Sequence, residues 1–137
     1  MKIKNLLTTL TLTAIFLFIG NVGWGQYSGT GTFTKITSID ELVDGFYVIA
    51  NSGEAFAMNT TNTGSYFQNT AITPASGVIT NPATTIVWKI QKDGSDYTVS
   101  NTVGTDITYV SYSGSSNASY AILNPVSISD NERWSIS

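Results

Sequence analysis

The side chains most used in enzymatic catalysis are missing. The 137 residues contain no His and no Cys, which removes Ser-His-Asp and Cys-His nucleophile arrangements, most zinc sites and haem ligation. Carboxylate chemistry is what remains. Among nine Asp and Glu residues, the close pairs are Asp40/Glu41, Asp93/Asp96 and Asp130/Glu132. A glycosidase needs two carboxylates across a cleft, about 5–10 Å apart, and neighbours in a turn do not imply that arrangement. Asp93 and Asp96 flank a hairpin turn, and turn formation and solvation account for them. Asp93, Asp96, Asp106 and the Asp130-Asn131-Glu132 group are oxygen donors near turns, but no D-x-D-x-D-G calcium loop is present. There is no G-x-x-x-x-G-K-(S/T) phosphate loop, and Gly29 and Gly31 have no strand before them to make a dinucleotide motif. No catalytic residue, metal or cofactor is therefore expected. Asn59-Thr60-Thr61 and Asn117-Ala118-Ser119 fit the N-glycosylation triplet, a match expected by chance in a chain rich in Asn, Ser and Thr.

The aromatic residues are better functional material. Tyr66, Phe67, Tyr109, Tyr112 and Tyr120 lie among turns rich in Asn and Asp. A pyranose face stacks on an aromatic ring while its hydroxyls need paired donors and acceptors, so such surfaces suit sugars. Core packing is the competing role, since alternating aromatics in strands are usually buried. Tyr109 and Tyr120 are assigned to the core, with Trp88 and Trp134; Tyr66 and Tyr112 are kept as candidate ligand contacts.

The elements that would position these residues are strands. Thr, Ser, Asn and Gly dominate, with short runs of Val, Ile, Tyr and Phe between them. Strands are expected at 46–51, 55–58, 67–73, 85–91, 96–101, 108–112, 120–123 and 133–137, with Ile86, Trp88 and Ile90 on one face. One short helical turn is expected over residues 38–43, where Ser38 and Glu41 form a capping box and Asp44-Gly45 ends it. Eight short strands about a dozen residues apart predict an all-β sandwich or barrel.

The N-terminus carries the three parts of an export signal. Lys2 and Lys4 are basic, Leu6 to Ile19 are largely apolar, and Gly23 and Gly25 sit at the −3 and −1 positions of a cut before Gln26. At ~1.5 Å per residue this 14-residue run is too short for a ~30 Å hydrocarbon core, and no Cys follows the cut to take a lipid. The expected organisation is a signal peptide (1–25), a flexible leader (26–32) and one β domain (33–137), secreted or at the cell surface. The 112 residues from Gln26 onward carry four basic and nine acidic side chains, a net charge of −5. That balance disfavours a phosphate backbone as partner, so nucleic acid is not expected. Without Cys, stability must come from packing rather than disulfides.

The chain also repeats itself. Tyr47-Val48-Ile49-Ala50-Asn51 matches Tyr97-Thr98-Val99-Ser100-Asn101 as Y-x-(I/V)-x-N, and Trp88-Lys89-Ile90 matches Trp134-Ser135-Ile136 as W-x-I. Both follow one order, defining repeats at about 45–92 and 93–137. This pattern resembles the ricin-B-like β-trefoil, in which three four-strand units each open with such a Tyr strand and close with a Trp strand. Ile86 and Glu132 stand where the family's Q-x-W motif has glutamine. Only two units are visible. The preferred expectation is a fragment of a longer reading frame; the other is that residues 33–44 supply part of a third unit in a reduced barrel. Residues 34–51 also resemble N-terminal modules of secreted multidomain proteins of Bacteroidetes, which can precede a hydrolase, an endonuclease or a surface-sorting tail. The resemblance implies a non-catalytic carbohydrate-binding or accessory module, with Asp106, Tyr112 and Asn117 near the places of the family's sugar contacts. The alternative is a spacer ahead of a larger enzyme, with its downstream domains as partners.

Overall fold

Two runs of consecutive apolar residues, Ile15-Phe16-Leu17-Phe18-Ile19 and Phe46-Tyr47-Val48-Ile49-Ala50, form the middle of the molecule. Strands that bury both faces need apolar residues at every position, so they lose the alternation of a half-exposed strand. The computed structural model describes residues 9–10, 15–21, 25–62, 67–103, 106–112, 121–125 and 128–136. The strands are β1 (Thr9–Leu10), β2 (Ile15–Gly20), β3 (Thr32–Lys35), β4 (Gly45–Asn51), β5 (Phe56–Asn62) and β6 (Phe67–Ala71), then β7 (Val78–Thr80), β8 (Val87–Asp93), β9 (Asp96–Val103), β10 (Asp106–Tyr112), β11 (Ala121–Pro125) and β12 (Ser135–Ile136). Three single 3-10 turns, η1 (Ile39–Glu41), η2 (Thr84–Ile86) and η3 (Asp130–Glu132), complete the list. The protein is all-β. No helix among the described residues is long and apolar enough to cross a membrane.

Ten strands make one antiparallel sheet in the order β11-β10-β9-β8-β4-β2-β3-β7, with the β5–β6 hairpin branching from β4. The sheet is open: its outer strands β11 and β7 do not pair with each other among the described residues. β1 and β12 pair separately, in parallel. The segment read as the apolar part of an export signal is here the strand between β3 and β4, with Phe18 opposite Lys35 on one side and Val48 on the other.

Alternation along the central strands divides the core into two clusters. Leu17, Tyr47, Ile49, Trp88, Ile90, Val99 and Trp134 belong to one. Phe18, Phe33, Val48, Ala50, Ile79 and Val87 belong to the other, joined by Tyr27. Tyr27 lies within residues 26–32, packs edge-on against Phe33 and donates its hydroxyl to the Pro82 carbonyl at 2.7 Å. Ile86 departs from the expected face. It ends the 3-10 turn η2, which rotates the chain before β8 begins, so it packs in the second cluster while Trp88 and Ile90 pack in the first. The capping box at Ser38 is present, but it starts one 3-10 turn and not an α-helix. Trp134 and Ile136 are buried, and β1 pairs with β12 along one edge.

Both repeats are built the same way where their tryptophans meet their tyrosines. Tyr47 lies opposite Trp88, and Tyr97 lies opposite Trp134. Each indole N–H donates to a backbone carbonyl at 3.0 Å: Trp88 to Met58 and Trp134 to Val110. A buried indole needs such an acceptor, because an unpaired N–H in a dry core costs about 1–3 kcal/mol.

Candidate functional site

β4 forks. Its first half pairs with β8 from Gly45 to Val48, and its end pairs with β5 through Ala50 and Ala57. The fork leaves an open cleft of about 390 Å³ beside the β5–β6 hairpin, lined by Asn51, Phe56, Met58, Phe67, Gln68 and Asn69, with Ile15 at one wall. Asn51, the last residue of the first Y-x-(I/V)-x-N strand, sets one side. Its Oδ1 accepts from the backbone N–H groups of Ala55 and Phe56 at 3.1 and 3.0 Å, closing the turn that carries Glu54 at a φ of 53°. The Phe56 ring emerges from this turn 46% exposed, enough for one face to be free for a ligand.

The opposite side is fixed from below. Phe67 packs edge-on against the buried Trp88, with ring centroids 5.3 Å apart, while the indole of Trp88 ties β5 through the Met58 carbonyl. A register shift between Met58 and Asn62 interrupts the β5–β6 ladder beside the cleft. Gln68 and Asn69 are exposed, and their amides make no hydrogen bond among the described residues. Among the described residues, no ionisable side chain lines the cleft. The described residues therefore offer aromatic and aliphatic surface beside the exposed amides of Gln68 and Asn69.

The carboxylate pairs of the sequence have structural partners. Glu41 Oε1 accepts from Thr37 N, Thr37 Oγ1 and Ser38 N at 2.8–2.9 Å; the Thr37 backbone bond, followed by the Thr37 hydroxyl, holds its carboxyl below the usual carboxylate value. Asp93 and Asp96 face each other across the β8–β9 turn, and Asp93 accepts from Arg133 Nε at 2.6 Å. Glu132 is 1% exposed and closes a second capping box, accepting from Ser129 N, Ser129 Oγ and Ser111 Oγ at 2.6–2.7 Å. The residue standing for the expected glutamine thus ties η3 to β10. Among the described residues, no group of three or more carboxylates is placed to hold a metal ion.

Of the candidate ligand contacts, Tyr66 and Asn117 lie outside the described residues. The backbones of Asp106 and Tyr112 are the two ends of β10, opposite Val103 and Ala121, about 20 Å apart at ~3.4 Å per strand residue. Phe56, Gln68 and Asn69 were not singled out from the sequence. Their only signal is an aromatic and two amides on facing strands of one predicted hairpin, which is common composition in this chain. Compared with protein-family models, curated proteins and solved structures, the chain matches none.

Proposed function

We propose that this chain is an exported, non-catalytic binding module of trefoil-like repeat organisation, and that the cleft beside β5–β6 takes neutral carbohydrate. The observation that carries the reading is the pairing of a half-exposed Phe56 ring with the exposed amides of Gln68 and Asn69 in a cleft that, among the described residues, has no charged lining. Sugars have apolar ring faces and many hydroxyls, so they suit stacking beside bidentate amides and need no charged partner. The matched Tyr47–Trp88 and Tyr97–Trp134 pairs support the repeat organisation. All the aromatic and amide groups of the cleft lie after residue 26, so removal of an export signal leaves them in the chain and opens the wall at Ile15.

Glycan-array binding of the full-length chain tests this. Saturable binding is expected, lost by tenfold or more in Phe56→Ala (about the 1–3 kcal/mol of a stacked ring) and weakened in Asn69→Ala. Binding that survives Phe56→Ala but disappears in Asp106→Ala or Tyr112→Ala would move the site to β10. A folded chain that binds no glycan would sink the lectin reading and favour a spacer role.

A further inference from the structure

The last residue of the Y-x-(I/V)-x-N strand is used differently in the two repeats. In the first, Asn51 works through its oxygen, which accepts from the Ala55 and Phe56 N–H groups at 3.1 and 3.0 Å. In the second, Asn101 works through its nitrogen. Nδ2 donates to the Val87 carbonyl at 2.7 Å and to the Thr84 carbonyl at 3.4 Å, which uses both of its hydrogens. The β8–β9 ladder ends at Lys89 opposite Ser100. The Asn101 amide therefore carries the connection past that end and fastens η2 and the start of β8 to β9.

Asn101 Oδ1 is left over. The residue is 9% exposed, and its oxygen accepts no hydrogen bond among the described residues. Ser100 beside it is 4% exposed, and its hydroxyl likewise has no partner among the described residues. Both line a cavity of about 20 Å³. Gln26 lines the same cavity from the other side and donates Nε2 to the Thr102 carbonyl at 3.3 Å. Buried oxygens of this kind are paired in folded proteins, with the chain itself or with ordered water.

We infer that one water molecule is built into the domain here, donating to Asn101 Oδ1 and bonded to the Ser100 hydroxyl. Size selects this ligand. A site of about 10–15 Å³ or more holds one water, and the cavity has no room for a sugar ring or a phosphate. Charge selects it as well. Lys89 lines the cavity and, among the described residues, no carboxylate does, so a hard metal cation finds repulsion there and no anionic ligand. A neutral molecule that both donates and accepts suits a carbonyl oxygen next to a hydroxyl. In the second repeat the water does the work that the Ala55 and Phe56 N–H groups do beside Asn51 in the first.

The test is a crystal structure of the full-length chain at a resolution that shows ordered water, joined to a count in solution. One water is expected within hydrogen-bond distance of both Asn101 Oδ1 and Ser100 Oγ. The Gln26 amide or the Lys89 ammonium seated on Oδ1 overturns the inference, and so does an Oδ1 with no partner. Relaxation dispersion of water oxygen counts slowly exchanging waters in solution. Ser100→Val replaces the hydroxyl with methyl groups and fills the cavity, so the count should fall by one. Thr98→Val removes an equally buried hydroxyl of the same strand that does not line the cavity, and should leave the count unchanged. A count unaltered by Ser100→Val, or lowered equally by both substitutions, overturns the inference. Should Ser100→Val not fold, the crystal structure of the unsubstituted chain decides alone. Neither readout depends on export or on glycan binding.

Discussion

Gly20 shows how tightly individual residues are held. A Cβ at this position would lie 2.6 Å from Cε1 and Cζ of Phe33, whose ring is fully buried and lies across the sheet from it in register. Gly20→Ala should therefore destabilise the chain by about 1–3 kcal/mol, the usual cost of forcing extra volume into a packed core, as read by urea denaturation. Two neighbouring charges should behave in opposite ways. Glu132→Gln keeps the shape but loses acceptors for the Ser129 and Ser111 donors, so it should cost about 1–3 kcal/mol. Arg133→Ala breaks pairs with Asp93 and Asp130 that are a third or more exposed, and should change stability by less than about 1 kcal/mol. Equal effects from the two substitutions would contradict this account of the η3 corner.

At the scale of elements, the 3-10 turn η1 depends on one carboxylate. The bonds from Thr37 and Ser38 favour ionised Glu41 and hold its folded-state pKa below the ordinary glutamate value. A depressed folded value means that the stabilisation is present above pH 4.5 and is lost as pH falls through and below it. The gap in urea midpoint between the unsubstituted chain and Glu41→Gln should accordingly be largest near neutral pH and narrow steadily as pH falls below the ordinary carboxylate range. A gap that does not change as the pH is lowered would place the stabilisation elsewhere. This turn was legible in the sequence, because a capping box is local chemistry between residues three apart. β4, β8, β9 and β10 were legible for a related reason: Asp44-Gly45 and Asp93-Gly94 mark turns, and apolar residues follow them. β2 was not. A strand buried on both faces and an export segment are both continuous apolar runs, and periodicity does not separate them. β3 and β7 were missed because three or four residues carry too little pattern. The cleft was missed because it arises from the fork in β4, a feature of pairing between distant residues.

At the scale of the molecule, all-β architecture followed from composition and turn spacing, while the open sheet and its order did not. Strand order depends on which faces are dry, and only the packed clusters reveal that β2 and β4 are interior on both sides. The ends of the sheet carry a separate consequence. β7 is three residues long, and beyond it Asn81 adopts a φ of 48° and leads into Pro82; β11 ends at Pro125. A short strand stopped by a left-handed residue or a proline presents few groups for another sheet to join. The β7 and β11 edges are thus blunted against side-by-side growth into fibres, and concentrated solutions of the folded protein should not polymerise through these two edges.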